Sequence, residues 1–137
     1  MSQDFEFKYF NSDGIQIFYR VCRKNKDKWV LLLHAPGTNH TQLLKIAEYL
    51  EKEGYSTISP DLRGHGKSGY GDYKIGSFSR DMFSLLEKEN IAKVGIVASC
   101  ASSNLALHMK DENKSRIDNL VLLNLPNMTN INSKYRM

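Results

Sequence analysis

The sequence predicts a single α/β fold in which a mostly parallel sheet carries helices on both faces. Two observations support this class. Short apolar runs, such as residues 29–33, have the pattern of strands that are covered on both faces. Between these runs, apolar residues recur with the helical period. Strands that alternate with helices need crossover connections, and such connections produce parallel pairing.

The chain opens with the pattern of an antiparallel hairpin. Apolar and polar residues alternate over residues 5–10 and again over residues 15–21, and the turn signal Asn-Ser-Asp-Gly lies between them at residues 11–14. The apolar run at residues 29–33 is the next strand. We therefore expect two antiparallel strands at one edge of the sheet and buried strands beyond them.

A helix is predicted from Thr41, and Gly54 lies where its C-terminal cap belongs. Residues 55–59 then form a strand that Pro60 stops, and residues 61–73 form a structured loop that is rich in glycine. The apolar face of the helix consists of Leu43, Leu44, Ala47 and Leu50.

The second half repeats the alternation. A helix ends near Asn90, residues 94–97 form a strand, and the next helix runs from Cys100 to about Lys110. Residues 117–125 form another buried strand, and a polar tail follows. The helix that ends near Asn90 has an apolar face, which consists of Phe78, Met82, Leu85 and Leu86. Residues 1–137 are thus expected to form one domain.

Composition excludes several classes of function. The net charge of +4 lies largely in residues 23–28, which lack the aromatic or Gly/Arg interleaving of a nucleic-acid site. The absence of a long apolar run excludes a membrane span, and the polar N-terminus is unlike a signal peptide. Cys22 and Cys100 match no metal or redox spacing. We therefore expect a cytoplasmic protein with no metal and no cofactor.

Residues 94–107 carry the most informative pattern. A buried strand stops abruptly, small residues follow, and a helix begins, with Cys100 at the bend. This layout presents a nucleophile at the carboxyl end of a strand with helix N–H groups directed at it. The turn at residues 98–103 contains no glycine, so a dinucleotide pyrophosphate could not approach the backbone there.

Three segments together resemble the α/β-hydrolase family. They are VLLLHAPG at residues 30–37, SPDLRGHGKS at residues 59–68 and IVASCAS at residues 96–102. The second is close to the P-D-x-R-G-x-G-x-S loop of that family, and the nearest similarity is to its monoacylglycerol-lipase and serine-aminopeptidase branches. The resemblance covers nearly the whole chain but only the N-terminal part of the family fold, which implies an incomplete domain of about six strands.

The resemblance implies a set of site residues. Cys100 stands at the nucleophile position, where a thiolate is a good nucleophile, and Ala101 supplies one oxyanion N–H. The loop residue aligned with the second donor is Pro36, which has no N–H, so Gly37 is the candidate second donor. His34 is the candidate general base, because its strand should neighbour that of Cys100.

Two functional hypotheses follow. The first is a hydrolase or acyl transferase that acts on a small ester or thioester through Cys100. Its alternative is a non-catalytic, truncated α/β-hydrolase-like binding module in which Cys100 only fills space. The acid and histidine of the family triad follow later strands than this chain contains, so the base would come from a C-terminal part or a partner. We expect a homodimer, or a complementing C-terminal fragment, to pair with the apolar edge strand near residues 117–125.

Overall fold

The computed structural model describes residues 4–124. They form six strands, three α-helices and one 3₁₀ turn (His40–Leu43). The strands are β1 (Phe5–Ser12), β2 (Ile15–Cys22), β3 (Trp29–Leu33), β4 (Ser56–Pro60), β5 (Val94–Ser99) and β6 (Ile117–Leu123). The helices are α1 (Leu44–Lys52), α2 (Ile75–Lys88) and α3 (Ser102–Glu112).

One sheet contains all six strands in the order β1-β2-β4-β3-β5-β6. The β1–β2 and β2–β4 pairs are antiparallel, and the pairs β4–β3, β3–β5 and β5–β6 are parallel. This confirms the predicted fold class, a mostly parallel sheet with an N-terminal antiparallel hairpin. Because β3, β4 and β5 are parallel, the loops that follow them lie at the same edge of the sheet.

The central strand β3 is buried on both faces, as its unbroken apolar sequence predicts. Leu31 and Leu33 face a core that includes residues of α2 and α3, whereas Val30 and Leu32 face a smaller core with Ala47 of α1. Alternate side chains of a strand point to opposite faces, so five apolar residues supply both layers. Burial of each such side chain contributes about 1.5–3 kcal/mol.

The helix predicted from Thr41 begins instead as a 3₁₀ turn, and the α-helix starts at Leu44. The Asn39 side chain accepts a hydrogen bond from the Thr41 N–H at 2.9 Å, so the turn has its own cap. The helix ends at Lys52, close to Gly54, whose φ of +92° suits a residue without a side chain. The predicted polar tail from Asn127, and residue 125 of the last predicted strand, lie outside the described residues.

The loop between β4 and α2 is held by a buried ion pair. Arg63 donates two hydrogen bonds to the Asp81 carboxylate, from Nε at 2.7 Å and from a terminal nitrogen at 2.9 Å. Ser12 Oγ donates a third hydrogen bond to that carboxylate at 2.5 Å. The side chains of Arg63 and Asp81 are 1% and 0% exposed. Arg63 has a second, longer contact with the half-exposed Asp72 carboxylate at 3.6 Å. Asp81 is therefore its main counter-ion, and the buried pair is sensitive to the loss of either partner.

Replacing Asp81 with Asn is expected to lower the free energy of unfolding by about 3–5 kcal/mol, because the buried Arg63 charge would lose its main counter-ion and keep only the half-exposed Asp72 at 3.6 Å. Urea denaturation of the purified protein measures this loss. The matched control is Asp13→Asn, since Asp13 is 71% exposed and lies 3.7 Å from Arg80. That exposed pair should contribute less than about 1 kcal/mol. Equal losses in the two variants would contradict the structural role of the buried pair.

Candidate active site

Cys100 occupies the sharp turn between β5 and α3. Its φ is +57°, in the left-handed region that residues with a side chain rarely adopt. The Cys100 N–H donates to the Leu123 carbonyl at 2.8 Å, and the side chain is half-buried. A strained strand-to-helix turn with an exposed nucleophile is the geometry of a nucleophile elbow. The bend predicted from the small residues is therefore present.

Ala101 is the N-cap residue of α3, with a φ of −66°. Among residues 4–124, the Ala101 N–H has no acceptor, whereas the Ser103 N–H donates to the Cys100 carbonyl at 3.0 Å. The first N–H groups of a helix have no partner within the helix, and the helix dipole adds a partial positive charge there. The start of α3 thus offers a hydrogen-bond donor for a negatively charged oxygen next to Cys100.

The loop after β3 makes a tight turn over residues 35–38. The Thr38 N–H donates to the Ala35 carbonyl at 3.2 Å, and Gly37 has a φ of +82°. Proline followed by a residue with positive φ is the pattern of a type II turn, which accounts for both Pro36 and Gly37. The Gly37 N–H has no acceptor within the described part of the chain. It is the first N–H after Pro36 in this loop and remains the predicted second donor.

His34 lies at the end of β3 and is 1% exposed. The Leu62 N–H donates to its Nε2 at 3.0 Å, so the ring proton is on Nδ1, which donates to the Ala35 carbonyl at 2.9 Å. Burial lowers the pKa of His34 to about 4, although the hydrogen bond to Ala35 acts in the opposite direction. This neutral imidazole ties two loops together and has no ring nitrogen left for Cys100. Its role as general base stays a prediction that this geometry disfavours.

Two side chains that the sequence did not single out as site residues hold the elbow in place. Ser102 is fully buried, and its Oγ donates to the His34 carbonyl at 2.5 Å. Gln42 accepts from the Ala35 N–H at 2.8 Å and donates to Ser99 Oγ at 3.2 Å. Both residues link the loop after β3 to the end of β5. Neither motif nor spacing indicates these long-range contacts.

The other three histidines each have a partner other than Cys100. These partners are the Asp61 carboxylate for His40 at 2.8 Å, the Arg63 carbonyl for His65 at 3.0 Å, and the Glu112 carboxylate for His108 at 3.1 Å. Within residues 4–124, therefore, the structure shows no histidine paired with the thiol. Of the predicted acyl-transfer centre, the described residues supply the bend with Cys100 and the helix N–H groups. They do not supply a base in contact with the thiol.

The second cysteine differs sharply from the first. Cys22 is 2% exposed, and burial raises the pKa of its thiol to about 11. A thiol in this environment is inert at neutral pH, as expected of a small core residue. Within residues 4–124, no cluster of three or more His, Cys, Asp or Glu side chains is arranged to hold a metal ion, and no helix is long and apolar enough to span a membrane.

Comparison with known proteins identifies the fold. Residues 28–136 match the family model of the alpha/beta hydrolase fold. Cfl2 from Burkholderia cenocepacia superposes with a TM-score of 0.82 at 18% identity, over 89% of this chain and 42% of that chain. The thioesterase domain from the curacin biosynthetic pathway gives 0.82 at 23% identity, over 90% of this chain and 46% of that one. The epoxide hydrolase CorEH superposes with a TM-score of 0.81 at 20% identity, over 88% of this chain and 42% of that chain.

The three solved structures share the fold with this chain, which spans less than half the length of each. The family model covers more than half of the chain and includes the elbow, the loop after β3 and the loop after β4. The chain therefore belongs to the alpha/beta hydrolase fold family.

Proposed function

We propose that this chain carries the nucleophile of a hydrolase or acyl transferase that acts on a small ester or thioester through Cys100. The observation that carries the proposal is the left-handed backbone of Cys100, with a φ of +57° at the junction of β5 and α3. A strained turn that projects a thiol beside a helix N-terminus has a direct use in covalent catalysis. The nearby helix N–H groups supply the electrostatic part of such a site.

The step that these residues would perform is acyl transfer to sulfur. The Cys100 thiolate attacks the carbonyl carbon, a carbon–sulfur bond forms, and the carbonyl oxygen becomes an oxyanion that accepts from the Ala101 N–H. The oxyanion then collapses, the bond to the leaving alkoxide or thiolate breaks, and the leaving group takes a proton from water. A water molecule or an acceptor alcohol, thiol or amine later removes the acyl group from sulfur.

Gly37 is the proposed second donor to the oxyanion. Its N–H lies one residue beyond the position that the family motif uses, because Pro36 occupies that position and has no N–H. Removal of one oxyanion donor typically costs about 10²–10³ in rate. A displaced second donor would therefore make acylation slow, but it would not abolish it.

His34 is neutral and hydrogen-bonded through both ring nitrogens, so neither nitrogen is left to take a proton from Cys100. We therefore propose that a base and its acid partner come from a complementing C-terminal fragment or from a second copy of the chain. Strand β6 offers the place for pairing: it is the last strand of the described sheet, and its Val121 is 51% exposed.

The alternative is a non-catalytic binding module of the same fold. Pro36 in the oxyanion loop and the structural hydrogen bonds of His34 favour it. The monoacylglycerol-lipase or serine-aminopeptidase branch and a cytoplasmic location stay predictions from the sequence. Acylation of Cys100 distinguishes the enzyme from the binding module, because a cysteine that only fills space has no reason to accept an acyl group.

Incubation with p-nitrophenyl acetate is expected to release p-nitrophenol in a burst of about one equivalent per chain, followed by slow turnover, because deacylation lacks a base. Mass spectrometry of the quenched protein should place one acetyl group on Cys100. Cys100→Ala should abolish the burst, and Cys22→Ala should retain it because that thiol is buried. Acetylation confined to lysines, or equal labelling in Cys100→Ala, would support the binding module instead.

Pro36→Ala should accelerate acetylation of Cys100 by up to about a hundredfold, because it restores an N–H at the position where the family places the second oxyanion donor. Alanine also fits the backbone of the first central residue of a type II turn, so the loop should keep its shape. The rate of the burst measures the effect. The double variant Pro36→Ala/Cys100→Ala controls for labelling elsewhere. An unchanged rate would contradict a missing donor at this position.

The proposed homodimer should be sensitive to charge on the edge strand. Val121→Lys is expected to convert a dimer into a monomer, because a lysine on an exposed edge opposes strand pairing. Size-exclusion chromatography with light scattering measures the mass of each protein. Tyr70→Lys is the control, since Tyr70 is 80% exposed in the loop before α2. A wild-type chain that is monomeric at all concentrations would rule out the homodimer.

A further inference from the structure

A cavity of about 400 Å³ lies beside the end of β4, and none of the proposed catalytic residues lines it. Its walls include Phe7, Phe18, His40, Asp61 and Lys67. Cavities that bind small molecules usually have volumes of about 300–1,000 Å³, apolar walls and a few fixed polar groups. This cavity has all three properties.

The apolar part of the wall is aromatic. The rings of Phe7 and Phe18 are stacked with their centroids 5.5 Å apart, and the His40 ring lies 5.9 Å from Phe7 and 5.5 Å from Phe18. Phe18 is 4% exposed, but Phe7 keeps 53% of its surface exposed. Ring contacts with Phe5, Phe18 and His40 hold Phe7 in position while much of its surface stays open to the solvent. An aromatic group that packs on this exposed surface would bury apolar area there.

The polar part of the wall is built around the Asp61 carboxylate. One carboxylate oxygen accepts from the backbone N–H and Nδ1 of His40, both at 2.8 Å, and the other accepts from the Lys67 N–H at 2.9 Å. Burial alone would raise the pKa of Asp61, but these hydrogen bonds outweigh it and hold the pKa below its usual value. The carboxylate is therefore ionised, its charge is compensated by three N–H groups, and it fixes the orientation of the His40 ring.

Lys67 supplies a positive charge at the same cavity. Its Nζ lies 5.0 Å from the centroid of the Phe18 ring. Among residues 4–124, no carboxylate lies within ion-pair distance of this ammonium group. A cation held over an aromatic ring keeps its remaining hydrogen-bond donors for another partner. The cavity thus combines an open aromatic surface with an ammonium group that has no anionic partner in the described structure.

We propose that this cavity binds a small aromatic carboxylate, whose ring packs on Phe7 and whose carboxylate pairs with Lys67 Nζ. The side chain of Asp61 is 2% exposed, so the accessible charge of this wall is that of the exposed Lys67, which favours an anionic ligand over a cationic one. A neutral aromatic ligand would leave that charge unpaired. Asp61 does not compete for the ammonium group, because its oxygens already accept hydrogen bonds from His40 and from the Lys67 backbone. The proposal is independent of acyl transfer at Cys100.

The test is a titration of the ¹⁵N-labelled chain with 2-naphthoate, followed by amide chemical shifts. The dissociation constant should be on the order of 1 mM, as expected for a fragment of this size. The amides of Phe7, His40 and Lys67 should shift together and saturate. 2-Naphthamide, the neutral analogue, should bind more weakly by up to about fivefold, the contribution of a partly exposed charge pair.

Two variants and a control locate the binding. Lys67→Met should weaken the affinity for 2-naphthoate by up to about fivefold without changing the affinity for 2-naphthamide. Phe7→Thr should weaken the binding of both 2-naphthoate and 2-naphthamide. It provides a second test if the first variant does not fold. Lys93→Met is the control, because Lys93 is exposed just before β5 and does not line the cavity. The proposal is overturned by shifts that do not saturate, by shifts centred elsewhere, or by equal affinities for the acid and the amide.

Discussion

The candidate active site depends on the left-handed backbone of Cys100. A residue with a side chain is less stable in this conformation by about 1–2 kcal/mol, so the surrounding structure must hold it there. The Cys100 N–H bonds to the Leu123 carbonyl at 2.8 Å, and Ser102 Oγ bonds to the His34 carbonyl at 2.5 Å. These contacts connect the turn to β6 on one side and to β3 on the other. The position of the thiol is therefore determined by the whole central sheet.

Buried charge organises the loop that follows β4. Asp61 holds the start of the loop through hydrogen bonds from His40 and Lys67, and Arg63 holds its middle through Asp81. Each carboxylate is buried with several donors, which is the condition under which a buried charge is tolerated. The P-D-x-R-G-x-G-x-S segment, the most specific of the three family motifs, thus has a structural function in this chain. It shapes the edge of the sheet where β3 and β5 also end.

Much of the fold could be predicted because its signals are local. The hairpin turn, the unbroken apolar run of β3 and the small residues around Cys100 each determine structure within a few neighbouring residues. The roles of Ser102 and His34 could not be predicted, because each depends on a partner far away in the sequence. The Ser102 hydroxyl donates to a carbonyl 68 residues away. His34 is a candidate base because its strand pairs with that of Cys100, but hydrogen bonds with Ala35 and Leu62 engage both of its ring nitrogens.

The short 3₁₀ turn before α1 connects two parts of the molecule. Its first residue, His40, is hydrogen-bonded to Asp61 in the wall of the aromatic cavity, and Gln42, two residues later, bridges Ala35 and Ser99 beside the elbow. The cavity and the elbow are therefore held by side chains of the same turn, two residues apart.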